Sequence, residues 1–521
     1  MLFLLGKKRG ENMRLIGRQK IFCDEPEITR ENIIEVLQKA YAKHRQNVLE
    51  MQFLIDYERG IQPLQRQKNI RPDIDIRTNS SLPNYIKKFK LGYHWGSPVM
   101  LVQRGNKELH NTNSDTDDSG ISSLNEVLKN GENIGFKDQQ MAEFIEICGI
   151  GHRMVEPKSF PSNVTEIPES LVNIYTLDSR YAFVVYYNGP GQRELMGVSF
   201  SKRKGKNLFT CFTDTTRFEI ESGEIKSENP NLLGMIPIVE YERSVDRTGC
   251  FERKIPEIDA LNILESDFAN DVSQRTQEMW WGDNVDFKED EQGNPITPKS
   301  GQWILTYSAD GKVAKIQPLS STFDGTSTLN AISNKRTAIL KDCFVPIQYD
   351  SSGGGSTGTA TDMSAGWSAA ELDALQEQQM TENGKRKELE LVLKAISLIP
   401  TRVLPEDNPI RKVHSSDCDL HYNRRKNYDL VNKANFVVQL LAKGFNGRHV
   451  IKEAEIFPDA EAVWLDSKDM IEAIQKSLIS GGSNQSTSGT DNTRISADNS
   501  DQRENSPILD GMNTSRSKQA V

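Results

Sequence analysis

A chain of 521 residues, 36% hydrophobic and 26% charged, with a formal net charge of -9, has length for several domains and a large core. Its mean hydropathy of -0.57 assigns part of that length to tail, loop or assembly surface, and no apolar run reaches the roughly 18 residues of a membrane span. The acidic balance argues against a general nucleic-acid binder, which would be basic, but not against a surface past which DNA slides.

The start Met1-Leu-Phe-Leu-Leu is apolar for only five residues and precedes Gly6-Lys-Lys-Arg. A signal peptide has the reverse order and a longer apolar run, so none is expected. Residues 1–26 are expected to be flexible. Thr29 is expected to cap a helix running to about Asp56, with Ile33, Ile34, Val36, Leu37 and Tyr41 as its buried stripe. A shorter amphipathic helix starts at Leu82 and ends at Gly92, followed by a strand from Pro98 to Gln103. Asn113, Asp115 and Asp117 alternate as in a calcium loop, but the required Gly and Glu are missing at their offsets, so a solvated loop is expected.

Asp138 to Ile147 is predicted helical, and His152 is read as a turn residue after Gly149-Ile-Gly151. Alternation then predicts strands at Val172–Tyr175, Ala182–Tyr187, Glu194–Ser199, Asn207–Phe212, Arg217–Glu221 and Ile236–Tyr241, an antiparallel meander. A long helix follows from Phe251 to Trp281, with Ile255, Ile258, Leu261, Leu264, Phe268 and Val272 on one face. Trp280-Trp281 reads as its packed end. Gln302–Tyr307 and Lys312–Ile316 alternate around Ala309-Asp310-Gly311, a hairpin signal. A second helix spans Leu329 to Phe344 and stops before Pro346. The run Ser351, Ser352, Gly353, Gly354, Gly355, Ser356, Thr357, Gly358, Thr359 has no means of fixing its own backbone. A third helix runs from Trp367 to Ile399. Lys412–Tyr422 reads as extended, Tyr428–Lys443 and Asp466–Leu478 as helices broken at Gly444 and Gly447, and the polar segment from Ser480 as disordered.

Helix, β insert, helix, glycine loop and long helix suggest one spoke of a larger assembly. In that order of segments, in Gly234-Met-Ile-Pro-Ile-Val-Glu-Tyr-Glu before Gly249-Cys-Phe-Glu, and in Ile258-Asp-Ala-Leu-Asn-Ile-Leu-Glu-Ser-Asp-Phe-Ala-Asn-Asp, the chain resembles the portal proteins (head-to-tail connectors) of tailed double-stranded DNA bacteriophages, the siphophage type in particular. The likeness spans roughly Pro26 to Leu478. It implies an α+β ring subunit. Residues 27–250 would be a wing of helices then antiparallel strands. Residues 251–283 and 321–345 would be stem helices flanking a β-containing clip at 284–320. Residues 346–363 would carry a tunnel loop, 364–400 a long helix linking wing and crown, 401–426 a return to the wing, 427–479 a helical crown and 480–521 a disordered tail. Residues 1–24 and the tail have no counterpart.

The resemblance further implies a homo-oligomeric ring, commonly of twelve, at one capsid vertex of the virion. Double-stranded DNA would pass through it, and its partners would be terminase, the major capsid and scaffolding proteins, and a head-completion or tail-adaptor protein. The glycine loop would face the DNA: Gly, Ser and Thr present no fixed charge to grip phosphates. Lys335, Arg336 and Lys341 are candidate DNA-proximal cations, as are Lys385, Arg386 and Lys387, although such runs commonly serve as a solvated helix face. Few phosphate contacts are expected, since a ring would multiply their counterion-release affinity and the DNA would stick.

No catalytic, cofactor or metal site is expected. Gly353–Gly358 lacks the Lys and the strand-to-helix setting of a phosphate-binding loop. His414, Cys418 and His421 lie in an extended stretch and lack a fourth zinc ligand. Six scattered cysteines without a C-x-x-C predict reduced thiols and a cytosolic setting, the host cytoplasm during assembly. Two alternatives remain: a minor capsid or head-tail adaptor protein without a DNA channel, and a terminase-type packaging enzyme, which the missing Walker motif disfavours.

Overall fold

A computed structural model describes residues 15–64, 74–104, 119–162, 166–203, 205–276, 280–283, 292, 313, 315–318, 325–347, 366–422, 424, 430–454, 456–457 and 460–482. The chain divides into two compact units at Tyr428/Asp429.

The first unit opens with strand β1 (Ile21–Cys23) and helix α1 (Ile33–Glu58). Residues 15–26, expected to be flexible, are tied down. β1 pairs in parallel with a later strand at Val185–Tyr187. Buried Arg18 forms ion pairs with Glu252 and, at 3.4 Å, with Glu50. Asn47 exchanges two hydrogen bonds with the Gln19 backbone. Short-range sequence patterns carry none of these long-range partners. At α1 the expected Thr29 cap is reversed: the Thr29 N–H donates to Asn32 Oδ1 at 2.8 Å.

Next come α2 (Leu82–His94), β2 (Met100–Gln103), α3 (Ser119–Glu126) running into a π turn at Val127–Gly131, and α4 (Ile134–Cys148). Strands β3 (Ile150–Pro157), β4 (Val172–Leu177), β5 (Ala182–Tyr187), β6 (Glu194–Arg203), β7 (Lys206–Phe212), β8 (Thr216–Glu221), β9 (Glu224–Pro230) and β10 (Ile238–Glu242) follow. They form not one meander but two sheets, in the orders β1-β5-β6-β7-β8-β9 and β10-β3-β4. β5 is buried on both sides. Phe183 and Val185 face Ile33, Val36, Leu37 and Ala40 of α1, whereas Val184 and Tyr186 meet Ile238 of β10. That explains the continuous apolar run of this strand. Strand β3 went unpredicted because its buried residues include His152 and Arg153.

Helix α5 (Ile255–Thr276), preceded by a 3₁₀ turn at Glu252–Lys254, is shorter than expected. Trp280 and Trp281 are not a helix end; they lie in β11 (Trp280–Asp283), antiparallel to β12 (Lys315–Pro318). The proposed partner strand Gln302–Tyr307 lies outside the described residues. Helices α6 (Gly325–Asp342) and α7 (Trp367–Ser397) follow. The return stretch contains 3₁₀ turns at Pro409–Lys412 and Ser415–Asp417, then β13 (Cys418–His421), which pairs with β2.

Helix α1 serves two cores. Its first half covers the six-stranded sheet. Its second half, through Met51, Leu54, Ile55 and Tyr57, joins Ile255, Ile258 and Leu261 of α5 and Ile339 of α6. At about 1.5 Å per residue the helix spans roughly 39 Å, enough to connect sheet and hairpin base rigidly.

The C-terminal half of α7 (Leu389, Leu391, Val392, Ala395, Ile396) enters the core formed by α4 and the three-stranded sheet. Above it, Arg153 of β3 is fully buried. Its Nη1 donates to Asp138 of α4 at 2.7 Å and to Glu388 of α7 at 2.8 Å. Lys385 Nζ also donates to Asp138, at 2.6 Å, and the Tyr241 hydroxyl donates to Glu388. Gly384 lets α7 lie flat on that tyrosine: a Cβ there would sit 2.7 Å from the Tyr241 ring.

In the second unit, α8 (Leu430–Ala442) ends before Gly444, and α9 (Gly447–Ala454) precedes α10 (Ala460–Gly482). The sequence reading treated Gly447 as a break, but it opens a helix. A Cβ there would lie 2.5 Å from the Trp464 ring.

Replacing Glu388 by Ala leaves Arg153 and Lys385 buried with Asp138 as shared counterion. A loss of about 3–5 kcal/mol is expected, read as a lower urea midpoint. A loss below about 1 kcal/mol would show that Glu388 does not hold α7 in place.

Candidate functional site

Helices α5 and α6 pack together and are joined through the paired strands β11 and β12. The base of this hairpin is apolar, through Ile258, Leu261, Ile339 and Cys343. Further along α5 the buried stripe turns polar. Asn262, Ser266 and Asn270 recur every four residues, so they share a face. Asn270 Oδ1 accepts from the Ile76 N–H at 2.8 Å, and its Nδ2 donates to the Ile76 carbonyl at 2.9 Å. Ser266 Oγ accepts from the Thr78 N–H, and Asn262 Oδ1 from the Ser80 N–H at 2.7 Å. Side-chain amides here do for residues 76–80 what a neighbouring strand would do. Leu264 and Val272, expected on the buried stripe, are 37% and 47% exposed.

Of the candidate cations on α6, Arg336 and Lys341 are exposed and Lys335 is half-buried. They are not alone. Burial raises the Glu265 carboxyl on α5, and the Arg336 charge opposes that rise. Lys254 bridges Glu257 at 3.0 Å and Asp342 at 2.6 Å. Acids on α5 (Glu257, Asp259, Glu265, Asp267, Asp271) outnumber the bases of α6, so the hairpin as a whole carries no excess of positive charge. The glycine run Ser351–Thr359 lies outside the described residues, as do Asn113, Asp115 and Asp117. The second set of candidate cations is absorbed by the fold. Lys385 lies in the Arg153 cluster, Arg386 pairs with Glu382 and Lys387 with Glu194.

The helix that follows the glycine run, α7, is positioned at its N-terminal half by a small cluster of Trp367, Ala370 and Ala374 against Phe89 and Tyr93 and by charge. Lys90 of α2 donates to Asp373 at 2.6 Å, the Tyr93 hydroxyl to Glu371 at 2.7 Å and the Trp95 indole to Glu377 at 2.9 Å. Arg243, just after β10, donates to Asp373 and to Glu146 of α4, each at 3.0 Å. His94 completes the cluster: Nδ1 lies 2.8 Å from Glu377 and 3.4 Å from Glu146, and Nε2 lies 4.0 Å from Asp373.

His94, Asp373 and Glu377 are close enough to hold a metal ion, but two cations already contact the Asp373 oxygen. Three carboxylates face two fixed cations, and a proton on His94 balances the set. Burial alone would push the His94 pKa down; the Glu377 and Glu146 carboxylates outweigh it and raise it to about 9. Glu377 is likewise held low, because His94 and Arg243 overcome its desolvation.

The remaining sequence candidates have structural roles. His152 is a buried strand residue between Ser179 (2.9 Å) and Glu240 (3.1 Å). Cys418 is buried in β13, where desolvation raises its thiol to about 12. His414 and Asp417 cap a 3₁₀ turn. Sequence reasoning missed His94 and Arg243 because their partners are far away in the chain. Asp373 and Glu377, four residues apart on one helix, were the available signal.

The His94 pKa is raised above its unfolded value of 6.5. Its stabilisation is therefore complete below pH 6.5 and is lost as pH rises through about 9. Melting temperature is expected to fall between pH 7 and 10, and His94→Gln to flatten that fall while lowering stability at pH 6. An unchanged slope in the variant would show that another group titrates.

Comparison with known proteins locates the family. A solved structure titled "Neck of empty GTA particle computed with C6 symmetry" aligns at 10% identity with a TM-score of 0.36, covering 74% of this chain and 92% of that one. No curated protein matches. The family described as phage portal protein, SPP1 Gp6-like, matches residues 34–397, from the start of α1 to the end of α7. Two charge-anchored long helices, a helix–ribbon–helix hairpin and a mixed α+β body all fall within that match, and the chain belongs to the SPP1 Gp6-like phage portal protein family.

Proposed function

We propose that the chain is the subunit of a closed ring of about twelve copies at one capsid vertex of a tailed phage, through which double-stranded DNA enters and leaves the head. The observation that carries this reading is the family match over residues 34–397. The α5–α6 hairpin supports it: a long helix pair joined by a β ribbon is the shape a channel wall needs when copied around an axis.

The electrostatics also suit a conduit. Each phosphate neutralised by a fixed cation adds affinity through counterion release, and a ring multiplies the effect. Lys335, Arg336 and Lys341 share their hairpin with a larger number of acids, so the wall would pass DNA without gripping it. Residues 351–359 would form the loop that meets the duplex. Residues 284–320 would dock terminase during packaging and the tail adaptor afterwards. Capsid and scaffolding proteins would meet the ring's outer body, so that the ring nucleates the head. No catalytic chemistry is assigned to the chain.

With subunits of 58.8 kDa, the isolated protein is expected as rings on the order of 700 kDa by light scattering, with a central hole in negative-stain images. Solid or monomeric particles in assembling conditions would favour an adaptor without a channel, and ATP hydrolysis would favour a packaging enzyme. Deleting 351–359 is expected to leave rings intact and to block packaging. Genome-filled heads from that deletion would remove the loop from the mechanism.

A further inference from the structure

Strands β6 and β7 continue past the rest of their sheet. β5 begins pairing with β6 at Ala182↔Ser199, and β8 ends its pairing with β7 at Leu208↔Glu221. Residues 201–203 and 205–207 therefore form a two-stranded ribbon that continues beyond the pairing of both neighbours. Its tip bears Lys202, Arg203 and Lys206, all exposed; Lys204 lies outside the described residues and is not part of the site.

Two features mark this tip as more than a solvated turn. Arg203 and Lys206 are directly opposed across the ribbon, and like charges in that position repel and destabilise a hairpin. Among the described residues no carboxylate forms an ion pair with them. Glu224 feels the Lys206 charge, but its own partner is Lys226 at 2.6 Å. A like-charged pair directly opposed near the end of a ribbon breaks a local rule that is ordinarily broken at functional sites.

We propose that the β6–β7 tip binds the phosphate backbone of double-stranded nucleic acid, without sequence preference, as a contact separate from the channel. The chemistry of the tip favours this over an acidic protein. Ser201, Lys202, Arg203, Gly205, Lys206 and Asn207 include no apolar or aromatic side chain, whereas protein docking sites rest on such anchors. Charge alone is what phosphates require. Alternation puts Arg203 and Lys206 on one face of the ribbon and Lys202 on the other, so the tip presents cations on both sides, as a ribbon straddling a strand of phosphates would. The assignment does not depend on the channel reading.

The test uses the full chain and a labelled random-sequence duplex of about 25 base pairs, followed by fluorescence anisotropy from 50 to 200 mM salt. Three phosphate contacts predict a slope of log K on log salt near -2.7 per bound tip. The variant Lys202→Ser/Arg203→Ser/Lys206→Ser is expected to weaken binding at least tenfold at 50 mM salt and to bring the slope near zero. A charge-matched control, Lys129→Ser/Lys394→Ser/Lys412→Ser, is expected to keep both. Circular dichroism and melting serve as folding checks, and the tip variant is expected to melt no lower than the parent. Equal loss in both variants would mean that net charge alone is being read, and unchanged binding in the tip variant would place the contact elsewhere; either overturns the proposal. Loss of binding to poly-glutamate without any duplex binding by the parent would make the tip a protein-docking surface and also overturn it.

Discussion

The arrangement of the first unit depends on acids of α7 that are buried against cations from other elements. Glu377 and Glu388 lie eleven residues apart, three helical turns, and so project to nearly the same side. Glu377 takes His94 and Trp95 from the end of α2. Glu388 takes Arg153 from β3 and Tyr241 from β10. Apolar packing alone would let a helix slide by a turn at little penalty. A buried carboxylate moved off its cation loses its counterion in a low-dielectric interior, at a cost of several kcal/mol. The charges therefore fix the register of α7 even where they add little net stability.

The two halves of α7 are held by different physics. Residues 389–396 lie in a non-directional apolar core. Residues 371–378 add hydrogen bonds and ion pairs with α2, Arg243 and Arg424 to the small apolar cluster of Ala370 and Ala374 against Tyr93.

Helices with continuous apolar or small-residue periodicity were legible in the sequence: α1, α4, α6 and α7 fall close to their expected spans. Legibility failed where burial was polar. β3 was missed because His152 and Arg153 occupy core positions that only distant Glu240, Asp138 and Glu388 make tolerable. β1 is three residues long and exists through its parallel partner. On α5 the apolar positions Leu264 and Val272 drew the stripe to the wrong side, since Asn262, Ser266 and Asn270 look like surface residues until residues 76–80 are placed against them. Two candidate cation sets read alike in the sequence. Lys385 has a buried carboxylate within reach, whereas Lys335, Arg336 and Lys341 stay on an outward helix, and only tertiary structure separates the two.

The polar stripe on α5 has a consequence for how the hairpin is built. A helix anchored by an apolar face must point that face at its support and offers a polar one outward. A helix anchored by amide–backbone bonds is freed from that rule. It keeps residues 76–80 through directional hydrogen bonds of about 1 kcal/mol each, while Leu264 and Val272 lie partly exposed. Single exposed apolar residues are unremarkable, but here they come with a buried stripe that did not need them.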